Sequence, residues 1–451
     1  MARATVRPSP GSKDAGSDGS ERRILYVQFT NPAAYPPLEH SARLFADAGW
    51  DVMFLGTGAL GADRLEFRPH RRIQVKRMRF VPGGWRQKVR YVGFLLWVTG
   101  WALRWRPRWI YASEWLACPV ALVLRILLNA NVIYHEHDSP ASGNGSLFER
   151  AMLATRTTLA RRARACVLPN QRRAEMFAHN VVGGAAVMCV WNCPTRDEAI
   201  SPRAVRRESG DLWVLYHGSI VPARLPISVL EALTLVSDAV KLRIVGYETV
   251  GHRGYVEELR ATAAALAITP RVDFVGAVRT REELLTWCRR CDVGIAFMPR
   301  RSQDINEQNM VGASNKPFDY MASGLALLVS DLPGWRATFV GNGYGLACDS
   351  DDWRSIGDAL QWFLNHPAET HRMGERGRRK VLSDWNYETQ FAPILNTIVA
   401  VAHPSDVPKG QVCVEAAVQH SVGEARHANM MRVDGEGFKH GSSRLPEDPD
   451  R

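Results

Sequence analysis

Apolar residues in this chain occur in short continuous runs, and stretches with apolar residues at helical spacing separate these runs. Arg23–Phe29 and Trp50–Leu55 are two such runs, and between them Leu38–Ala48 shows helical spacing and ends at Gly49, a typical helix C-cap. Continuous runs of this length are typical of strands buried on both faces. Further strands are predicted at Trp109–Ala112, Asn131–His135 and Ala165–Pro169, with helices between them that include Gly145–Ala163. This alternation predicts an α/β fold with a parallel sheet covered by helices.

A second alternating series begins near Asp211. Its predicted strands are Leu212–His217, Lys241–Val245, Val272–Val275, Val293–Phe297 and Ala326–Ser330. Its predicted helices are Pro226–Val236, Tyr255–Leu266, Glu282–Arg290, Lys316–Ser323, Arg354–Leu364 and Tyr387–Ala402. We therefore expect two Rossmann-like domains, residues 21–200 and 208–385, joined by a linker near Cys193–Gly210. Residues 1–20 and 403–451 are polar, bear Gly and Pro, and are predicted to be disordered tails.

Charge is unevenly distributed along the 451 residues. The net charge is +11, yet twelve basic residues and no acidic residue lie between Arg68 and Arg108. Removing these twelve from the 57 basic residues leaves 45 against 46 acidic ones, so the rest of the chain is close to neutral. Such a local excess indicates one anionic partner rather than a protein that is basic all over.

The same basic segment is rich in tryptophan. Cationic side chains beside an apolar, Trp-rich run suit a membrane interface with anionic lipids. The residues expected to contact a membrane or acceptor are Arg86, Lys88, Arg90, Trp97, Trp101 and Arg104. Two other interpretations remain: a plain surface helix over Val89–Trp105 with one face packed on the sheet, and a nucleic-acid site, which no recognition fold supports.

Neither a signal peptide nor a membrane span is predicted. Residues 1–20 have no apolar core, and the uncharged run Tyr91–Leu103 has 13 residues, whereas a span needs about 20. We expect a cytoplasmic protein, either free or at the inner surface of the membrane. The cysteines are scattered, and the single CxxC, Cys288 and Cys291, is interpreted as a helix end entering a buried strand rather than a metal or redox site.

Two segments of the second half could bind phosphate. Leu215–Ile220 ends a strand with Gly218, and Arg224 follows, so backbone N–H groups and a guanidinium could meet an anion. Further on, Asn315 is predicted as the N-cap of a helix that would present free N–H groups and Lys316 to a phosphate. Asp319, one turn later, could accept hydrogen bonds from sugar hydroxyls, although a capped helix with solvated Lys and Asp fits the same spacing.

Tyr134–Asp138, with the sequence YHEHD, ends a predicted buried strand in the first half. Ligands of open α/β sheets bind beyond the carboxyl ends of the strands. Two histidines and two acids there could hold a metal, act as acid and base, or hydrogen-bond a ligand. Metal binding is the least favoured of these three interpretations.

Together these segments resemble the GT-B glycosyltransferases, most closely the retaining glycosyltransferase family 4. The resemblance covers about residues 23–402, and Arg224 stands where that family usually has a Lys. The matching segments are Tyr134–Asp138, Tyr216–Leu225, Leu242–Gly246, Val272–Gly276, Cys291–Pro299 and Ser314–Gly324.

This resemblance implies two Rossmann-like domains that face each other across a cleft, with the last helix, 386–402, returning to the first domain. The first domain would bind the acceptor and the second the nucleotide sugar. The residues implied in donor binding are Gly218, Gly246, Val278, Asn315, Lys316 and Asp319, with the base near Val278 and the ribose at Asp319.

The resemblance also implies that His137, Asp138, Arg224 and Lys316 act in catalysis. Arg224 and Lys316 would neutralise charge on the leaving diphosphate, and His137 would contact the sugar or position the acceptor. No metal or other cofactor is expected, because two cations and a helix N-terminus can stabilise this charge.

The chain departs from the family pattern in three places. Val311 and Asp319 stand where the family often has two glutamates separated by seven residues. Ser219 replaces the usual Arg after the glycine, and Asn31–Pro37 replaces an early Gly-Gly loop.

The expected function is therefore transfer of a sugar from a nucleotide sugar to a lipid-linked or polysaccharide acceptor, with retention. Two alternatives remain open. One is a GT-B relative with other nucleotide-sugar chemistry, such as epimerisation. The other is a catalytically inactive scaffold that binds nucleotide sugars.

Overall fold

The computed structural model describes residues 22–140, 146–182, 186–200 and 210–402. The predicted tails, 1–20 and 403–451, lie outside these ranges, as do Gly145 and most of the second half of the predicted linker. Both sheets described below belong to one structural unit that extends to Ile398.

The first sheet has seven parallel strands in the order β3-β2-β1-β4-β5-β6-β7. These strands are β1 (Arg23–Val27), β2 (Asp51–Thr57), β3 (Ile73–Met78), β4 (Trp109–Ser113), β5 (Asn131–His135), β6 (Ala165–Leu168) and β7 (Val187–Cys189). The helices of this half are α1 (Pro36–Asp47), α2 (Trp85–Trp105), α3 (Cys118–Leu128), α4 (Leu147–Ala160), α5 (Gln171–Phe177) and α6 (Arg196–Ile200). This arrangement confirms the parallel α/β fold predicted from the alternating pattern.

The second sheet has six parallel strands in the order β10-β9-β8-β11-β12-β13. These strands are β8 (Leu212–Ile220), β9 (Val240–Glu248), β10 (Val272–Gly276), β11 (Val293–Ala296), β12 (Ala326–Ser330) and β13 (Gly345–Cys348). The helices are α7 (Ser228–Leu233), α8 (Tyr255–Ala265), α9 (Arg281–Cys288), α10 (Ile305–Gln308), α11 (Asn315–Ala322), α12 (Pro333–Trp335), α13 (Trp353–Asn365), α14 (Pro367–Ser383) and α15 (Tyr387–Ala402).

The strands that sequence reasoning missed are β3, β7 and β13, and all three lie at the edges of their sheets. An edge strand contacts neighbours on one side only, so it need not be apolar throughout. β3 shows this most clearly, because Gln74, Val75 and Arg77 are exposed and the strand lies inside the basic segment. By contrast, β4 and β12 in the sheet interiors are buried along their whole length.

Two helices differ from the sequence prediction. α2 begins at Trp85, four residues before the predicted start, and its inner face buries Tyr91, Phe94, Val98 and Ala102 against the first sheet. α14 was not predicted, because its buried face contains small residues such as Gly374 and Gly377 in place of a large apolar stripe. A Cβ on Gly374 would lie 2.0 Å from the carbonyl oxygen of Gly324, so this helix approaches the backbone of its neighbour closely.

α15 contacts α1 of the first half. The Tyr387 ring lies 5.2 Å from that of His40, and the Phe391 ring lies 5.7 Å from that of Phe45. The Tyr387 N–H also donates to the carbonyl of Pro194 at 2.8 Å. The start of the last helix therefore packs against α1 of the first half and the segment that follows β7.

Candidate functional site

The carboxyl ends of both sheets open into a cleft of about 750 Å³. The loops after β1 and β5 line one wall, and the loops after β8, β9 and β10, with the start of α11, line the other. All nine residues predicted for catalysis and donor binding line this cleft: His137, Asp138, Gly218, Arg224, Gly246, Val278, Asn315, Lys316 and Asp319. Sequence reasoning thus found residues that the fold brings together from positions nearly 200 apart.

Two cations meet at a glycine on the second wall. Gly218 has φ +103°, a conformation that favours glycine, and the Lys316 Nζ lies 3.4 Å from where a Gly218 Cβ would be. A Cβ on Gly246 would lie 1.9 Å from the Gly218 carbonyl oxygen, so the ends of β8 and β9 require both glycines. The Arg224 Nη2 lies 3.5 Å from the Glu307 Oε1, while its buried Nη1 has no hydrogen-bond partner among the described residues.

The Lys316 ammonium has no carboxylate within ion-pair distance in the described parts of the chain, and its nearest aromatic contact is the Tyr216 ring at 5.6 Å. Burial, with the positive charge of Arg224 nearby, lowers the pKa of Lys316 to about 8, and Asp319 opposes this shift. An anion between these two cations would relieve their repulsion. This corner of the cleft is therefore built to receive negative charge.

The start of α11 differs from the sequence prediction in one residue. Ser314 is the N-cap, with φ −79° and ψ 123°, and Asn315 is the first residue of the helix. No side chain caps this N-terminus, so its free N–H groups remain available to a ligand. The Asn315 Oδ1 is buried and has no hydrogen-bond partner among the described residues, which is a costly state unless a ligand supplies a donor.

Asp319 belongs to a buried ionic network that sequence reasoning did not find. Its carboxylate receives two hydrogen bonds from Arg281, at 2.5 and 3.2 Å, and its Oδ2 lies 3.4 Å from the His217 Nε2. Arg281 also donates to Glu198 of α6 at 2.5 and 3.1 Å, and Glu198 lies 3.3 Å from the His40 Nε2. Arg281 thus fixes the direction of the carboxylate of Asp319, the residue that is predicted to bind the ribose.

His137 comes from the first domain, and three side chains fix its position. The carboxylate oxygen Oε1 of Glu114 accepts the backbone N–H groups of His137 and Asp138, both at 3.1 Å. Arg173 donates to the His137 carbonyl at 2.8 Å, and the His137 Nε2 lies 3.2 Å from the Ser113 Oγ. Glu114 has φ +68°, which an L-residue adopts at a cost, so the fold stores strain next to this histidine.

The electrostatics of His137 restrict what it can do. Burial, assisted by the positive charge of Arg173, lowers the pKa of His137 to about 3, so the imidazole is neutral at ordinary pH. Its buried Nδ1 has no hydrogen-bond partner in the described residues. A neutral ring with one free nitrogen suits a hydrogen bond to a sugar hydroxyl, and it does not suit a charge-bearing role. Burial raises the pKa of the neighbouring Asp138, with Arg173 opposing the rise.

The segment that replaces the Gly-Gly loop forms part of the first wall. Asn31 holds it, because its Oδ1 accepts the Ala33 N–H at 3.1 Å and its Nδ2 donates to the Ala62 carbonyl at 2.6 Å. This turn places the Tyr35 ring 4.9 Å from the His137 ring. A tyrosine therefore narrows the cleft next to the predicted catalytic histidine.

Several residues of the site escaped sequence reasoning, namely Tyr35, Ser113, Glu114, Arg173, Glu198, His217 and Arg281. Ser113 and Glu114 end or follow β4, the strand next to β5, so the rule that places ligands at strand ends could have found them. Nothing in the sequence near Arg281 points to Asp319, because this pair forms only through tertiary packing.

The predicted membrane residues lie outside the cleft, on and around α2. Trp97 and Trp101 are half-buried and pack against the core, and the Lys76 Nζ lies 4.5 Å from the Trp101 ring. Arg86, Lys88 and Arg104 are exposed, whereas Arg90 is half-buried. The outward face of α2 instead carries Trp85, Val89, Val92, Leu96 and Leu103, which are 71, 62, 57, 70 and 47% exposed.

That outward apolar face continues onto α3, which packs against α2. Val123, Ile126 and Leu127 of α3 are 46, 71 and 56% exposed. Neither helix contains an acidic residue. Exposed apolar residues rimmed by cations are a feature that interaction surfaces share.

Two further observations concern metals and membranes. In the ranges that the structure describes, no three His, Cys, Asp or Glu side chains are grouped so that they could hold a metal ion. Cys288 and Cys291 lie in the apolar core around β11, as the structural interpretation of the CxxC predicted. None of the described helices combines the length and the apolar character that crossing a bilayer requires.

Comparison with protein families gives two matches. The model described as "Glycosyl transferases group 1" matches residues 197–380, and that described as "Glycosyl transferase 4-like domain" matches residues 37–192. Between them they span both halves of the cleft. No curated protein matches the chain by sequence.

Solved structures share the fold. Sucrose-phosphate synthase from Thermosynechococcus elongatus superposes with a TM-score of 0.64 at 17% identity, over 85% of this chain and 100% of that one. The Anabaena protein Alr3699/HepE in complex with UDP-glucose gives 0.59 at 18% identity, over 84% and 99%. An α,α-trehalose-phosphate synthase (UDP-forming) from Burkholderia vietnamiensis gives 0.57 at 11% identity, over 84% and 100%. These likenesses confirm two Rossmann-like domains that face each other across a cleft.

Proposed function

Because the chain belongs to the group 1 glycosyltransferases of GT-B fold, which take their sugar from a nucleotide-sugar donor, we propose that it transfers a hexose from a uridine diphosphate sugar to a lipid-linked acceptor at an anionic membrane. The anion-binding corner of the cleft carries the donor part of this proposal. The exposed apolar and basic face of α2 and α3 carries the acceptor part. The choice of a UDP-sugar is supported by the similar fold of a protein that is described with UDP and with UDP-glucose.

The donor diphosphate would lie between Arg224 and Lys316, above Gly218 and the N-terminus of α11. During transfer, the bond from the anomeric carbon to the diphosphate oxygen breaks, and its electron pair stays on the diphosphate. Two cations and free N–H groups fixed before the reaction stabilise this growing charge without rearrangement. The uracil would lie near Val278, which is 9% exposed, and the ribose beside Asp319.

The sugar would lie between this corner and the first wall, which His137 lines and where its Nδ1 has no hydrogen-bond partner among the described residues. Asp138 follows on the same loop, with its pKa raised by burial, and would accept the proton of the acceptor hydroxyl as that oxygen forms its bond to the anomeric carbon. We propose that the anomeric configuration is retained, as the family resemblance implies, and proton NMR of the product would show the configuration directly.

Donor binding is tested by thermal shift with UDP, GDP and ADP and their glucose conjugates, because a ligand that binds only the native state raises its stability. We expect UDP and UDP-glucose to raise the melting temperature, and Lys316→Gln and Arg224→Gln to abolish that rise. His137→Ala should retain UDP binding but lose acceptor-dependent release of UDP. Binding without turnover that His137→Ala does not change would instead support the scaffold function.

The acceptor part predicts salt-sensitive binding to anionic vesicles. Lys and Arg near an anionic surface each contribute about 1 kcal/mol, and salt screens this attraction. Co-sedimentation with phosphatidylglycerol vesicles should exceed that with phosphatidylcholine vesicles and should fall as salt is raised.

The double variant Val92→Ser/Leu96→Ser tests the apolar face itself, and we expect it to weaken vesicle binding by about tenfold or more. Leu235→Ser is the matched control, because Leu235 is 49% exposed but belongs to the second half of the chain. Equal binding by the native protein and the double variant would contradict the membrane proposal and leave the donor proposal intact.

A further inference from the structure

A second cavity, of about 250 Å³, lies in the first domain beside the main cleft. We call it the Arg79/Arg90 pocket. It opens at the carboxyl ends of three adjacent strands: Thr30 follows β1, Thr57 ends β2, and Arg79 follows β3. The carboxyl ends of parallel strands are where open α/β sheets bind ligands.

The lining of this pocket is cationic and apolar. Arg79 and Arg90 supply two guanidinium groups, and Gln87 adds an amide from the first turns of α2. None of the described residues that line it is acidic, whereas Asp138, Asp304 and Glu307 line the main cleft. In the described parts of the chain, neither Arg79 nor Arg90 has a carboxylate within ion-pair distance. The rest of the wall is mostly apolar: Phe29, Ala59, Leu60, Phe80, Val81 and Val250.

Two neighbouring features show where a ligand in this pocket would extend. On one side, Thr249 and Val250 line the pocket, while Tyr247 near the end of β9 and His252 just beyond Val250 line the main cleft. On the other side, Gln87 and Arg90 line the pocket from α2, the helix that also carries the exposed apolar residues Val89 and Val92 on its outward face. The pocket is therefore bordered by a segment that reaches the donor cleft and by the helix of the proposed membrane surface.

From these observations we propose that the Arg79/Arg90 pocket binds the phosphate or diphosphate ester of an acceptor whose hydrocarbon chain lies on the apolar face of α2. The proposal rests on the proposed function, because it identifies the chemical class of the lipid-linked acceptor. Two guanidinium groups can form bidentate hydrogen bonds to phosphate oxygens, and the apolar wall can cover the first carbons of the chain. A neutral glycan acceptor would leave both cations without partners.

The test compares soluble probes in the presence of saturating UDP, which occupies the diphosphate site of the cleft. Farnesyl diphosphate contains both the anion and the chain, farnesol only the chain, inorganic pyrophosphate only the anion, and glucose 6-phosphate a phosphate without a chain. We expect farnesyl diphosphate to bind at least about tenfold more tightly than each of the other three, measured by calorimetry.

The double variant Arg79→Gln/Arg90→Gln should lose this preference. Arg71→Gln/Arg108→Gln, which removes the same charge from two exposed arginines of the basic segment that are not predicted to contact a membrane or acceptor, should keep it. Equal binding of farnesyl diphosphate by both double variants would overturn the proposal. Tighter binding of glucose 6-phosphate that depends on Arg79 and Arg90 would also overturn it, because the ligand would then be a soluble sugar phosphate.

Failure of the donor proposal would be visible separately. If UDP itself did not bind to the native protein, the proposed function would fail, whatever the two double variants showed. If UDP bound with the expected dependence on Lys316 and farnesyl diphosphate showed no preference, the acceptor class alone would be wrong.

Discussion

Arg281 is the residue whose replacement we expect to destabilise the protein most. Its guanidinium, 9% exposed, lies between two buried carboxylates: Glu198, 15% exposed, and Asp319, 1% exposed. Arg281→Met removes the arginine that both carboxylates share and leaves only His40 beside Glu198 and His217 beside Asp319. Loss of one member of a buried ion pair typically costs about 3–5 kcal/mol. We therefore expect the free energy of unfolding to fall by about that amount.

The matched control is Arg279→Met, two residues earlier in the chain. Arg279 pairs with Glu66 at 3.1 Å, but their side chains are 68 and 50% exposed. Exposed pairs contribute about 0–1 kcal/mol, so this variant should differ little from the native protein. Urea unfolding followed by tryptophan fluorescence measures both variants at the same pH.

The pH dependence of the stability difference between the native protein and Arg281→Met tests whether the carboxylates left without Arg281 cause that difference. In the native protein, burial raises the pKa of Glu198, but Arg281 and His40 outweigh it and hold that pKa well below its usual range. The stability from this pair is therefore present above the unfolded pKa and is lost as pH falls. Burial already raises the pKa of Asp319 in the native protein, and Arg281 opposes that rise. In Arg281→Met, both carboxylates lose the cation that lowers their pKa, so they become neutral at a higher pH than in the native protein. Hence the gap between native and variant should narrow on acidification. A loss below about 1 kcal/mol, or a gap that does not change with pH, would refute this reasoning.

Three further predictions concern the cleft. A bound diphosphate should raise the pKa of Lys316 from about 8, so UDP binding takes up a proton above that pH, and the affinity for UDP, measured by calorimetry, should fall by up to about tenfold per pH unit. Lys316→Arg should make the affinity nearly independent of pH in this range. An affinity of the native protein that does not change with pH would contradict the prediction. Gly246→Ala should cost about 3 kcal/mol of unfolding free energy, because the new Cβ would lie 1.9 Å from a carbonyl oxygen, while Gly251→Ala, with nothing within 4 Å, should cost little. Glu114→Ala should lower kcat by about tenfold or more, since it removes the acceptor for the backbone N–H groups of His137 and Asp138. Glu114→Gln keeps an acceptor oxygen and should therefore retain most of the native kcat. Equal kcat values in the two variants would exclude this positioning role.

The apolar pattern of the sequence determined the interior of both sheets. Strands such as β4 and β12 are buried on both faces, so all but their last residue, a serine, are apolar and the run was visible without a structure. The edge strands were not visible for two different reasons. β3 carries polar residues, which an edge strand tolerates, whereas β7 and β13 are apolar but only three and four residues long. α14 was missed for a related reason, since its close contact uses Gly374 and Gly377 rather than large apolar side chains.

The sequence also determined most of the candidate site. Gly218, Lys316 and His137 each follow from a local rule: a strand end, a helix start, or a polar cluster after a buried run. These rules act within a few residues, so they can be read along the chain.

Tertiary structure alone decided what these residues face. The pairing of Arg281 with Asp319 and Glu198 joins positions up to 121 apart, and no spacing in the sequence predicts it. Whether Trp101 or Leu96 faces outward depends on how α2 rotates against its sheet, because both faces of this helix are apolar. The sequence thus located the basic segment, but only packing could separate its core-facing tryptophans from its exposed apolar face and from the two arginines of a pocket.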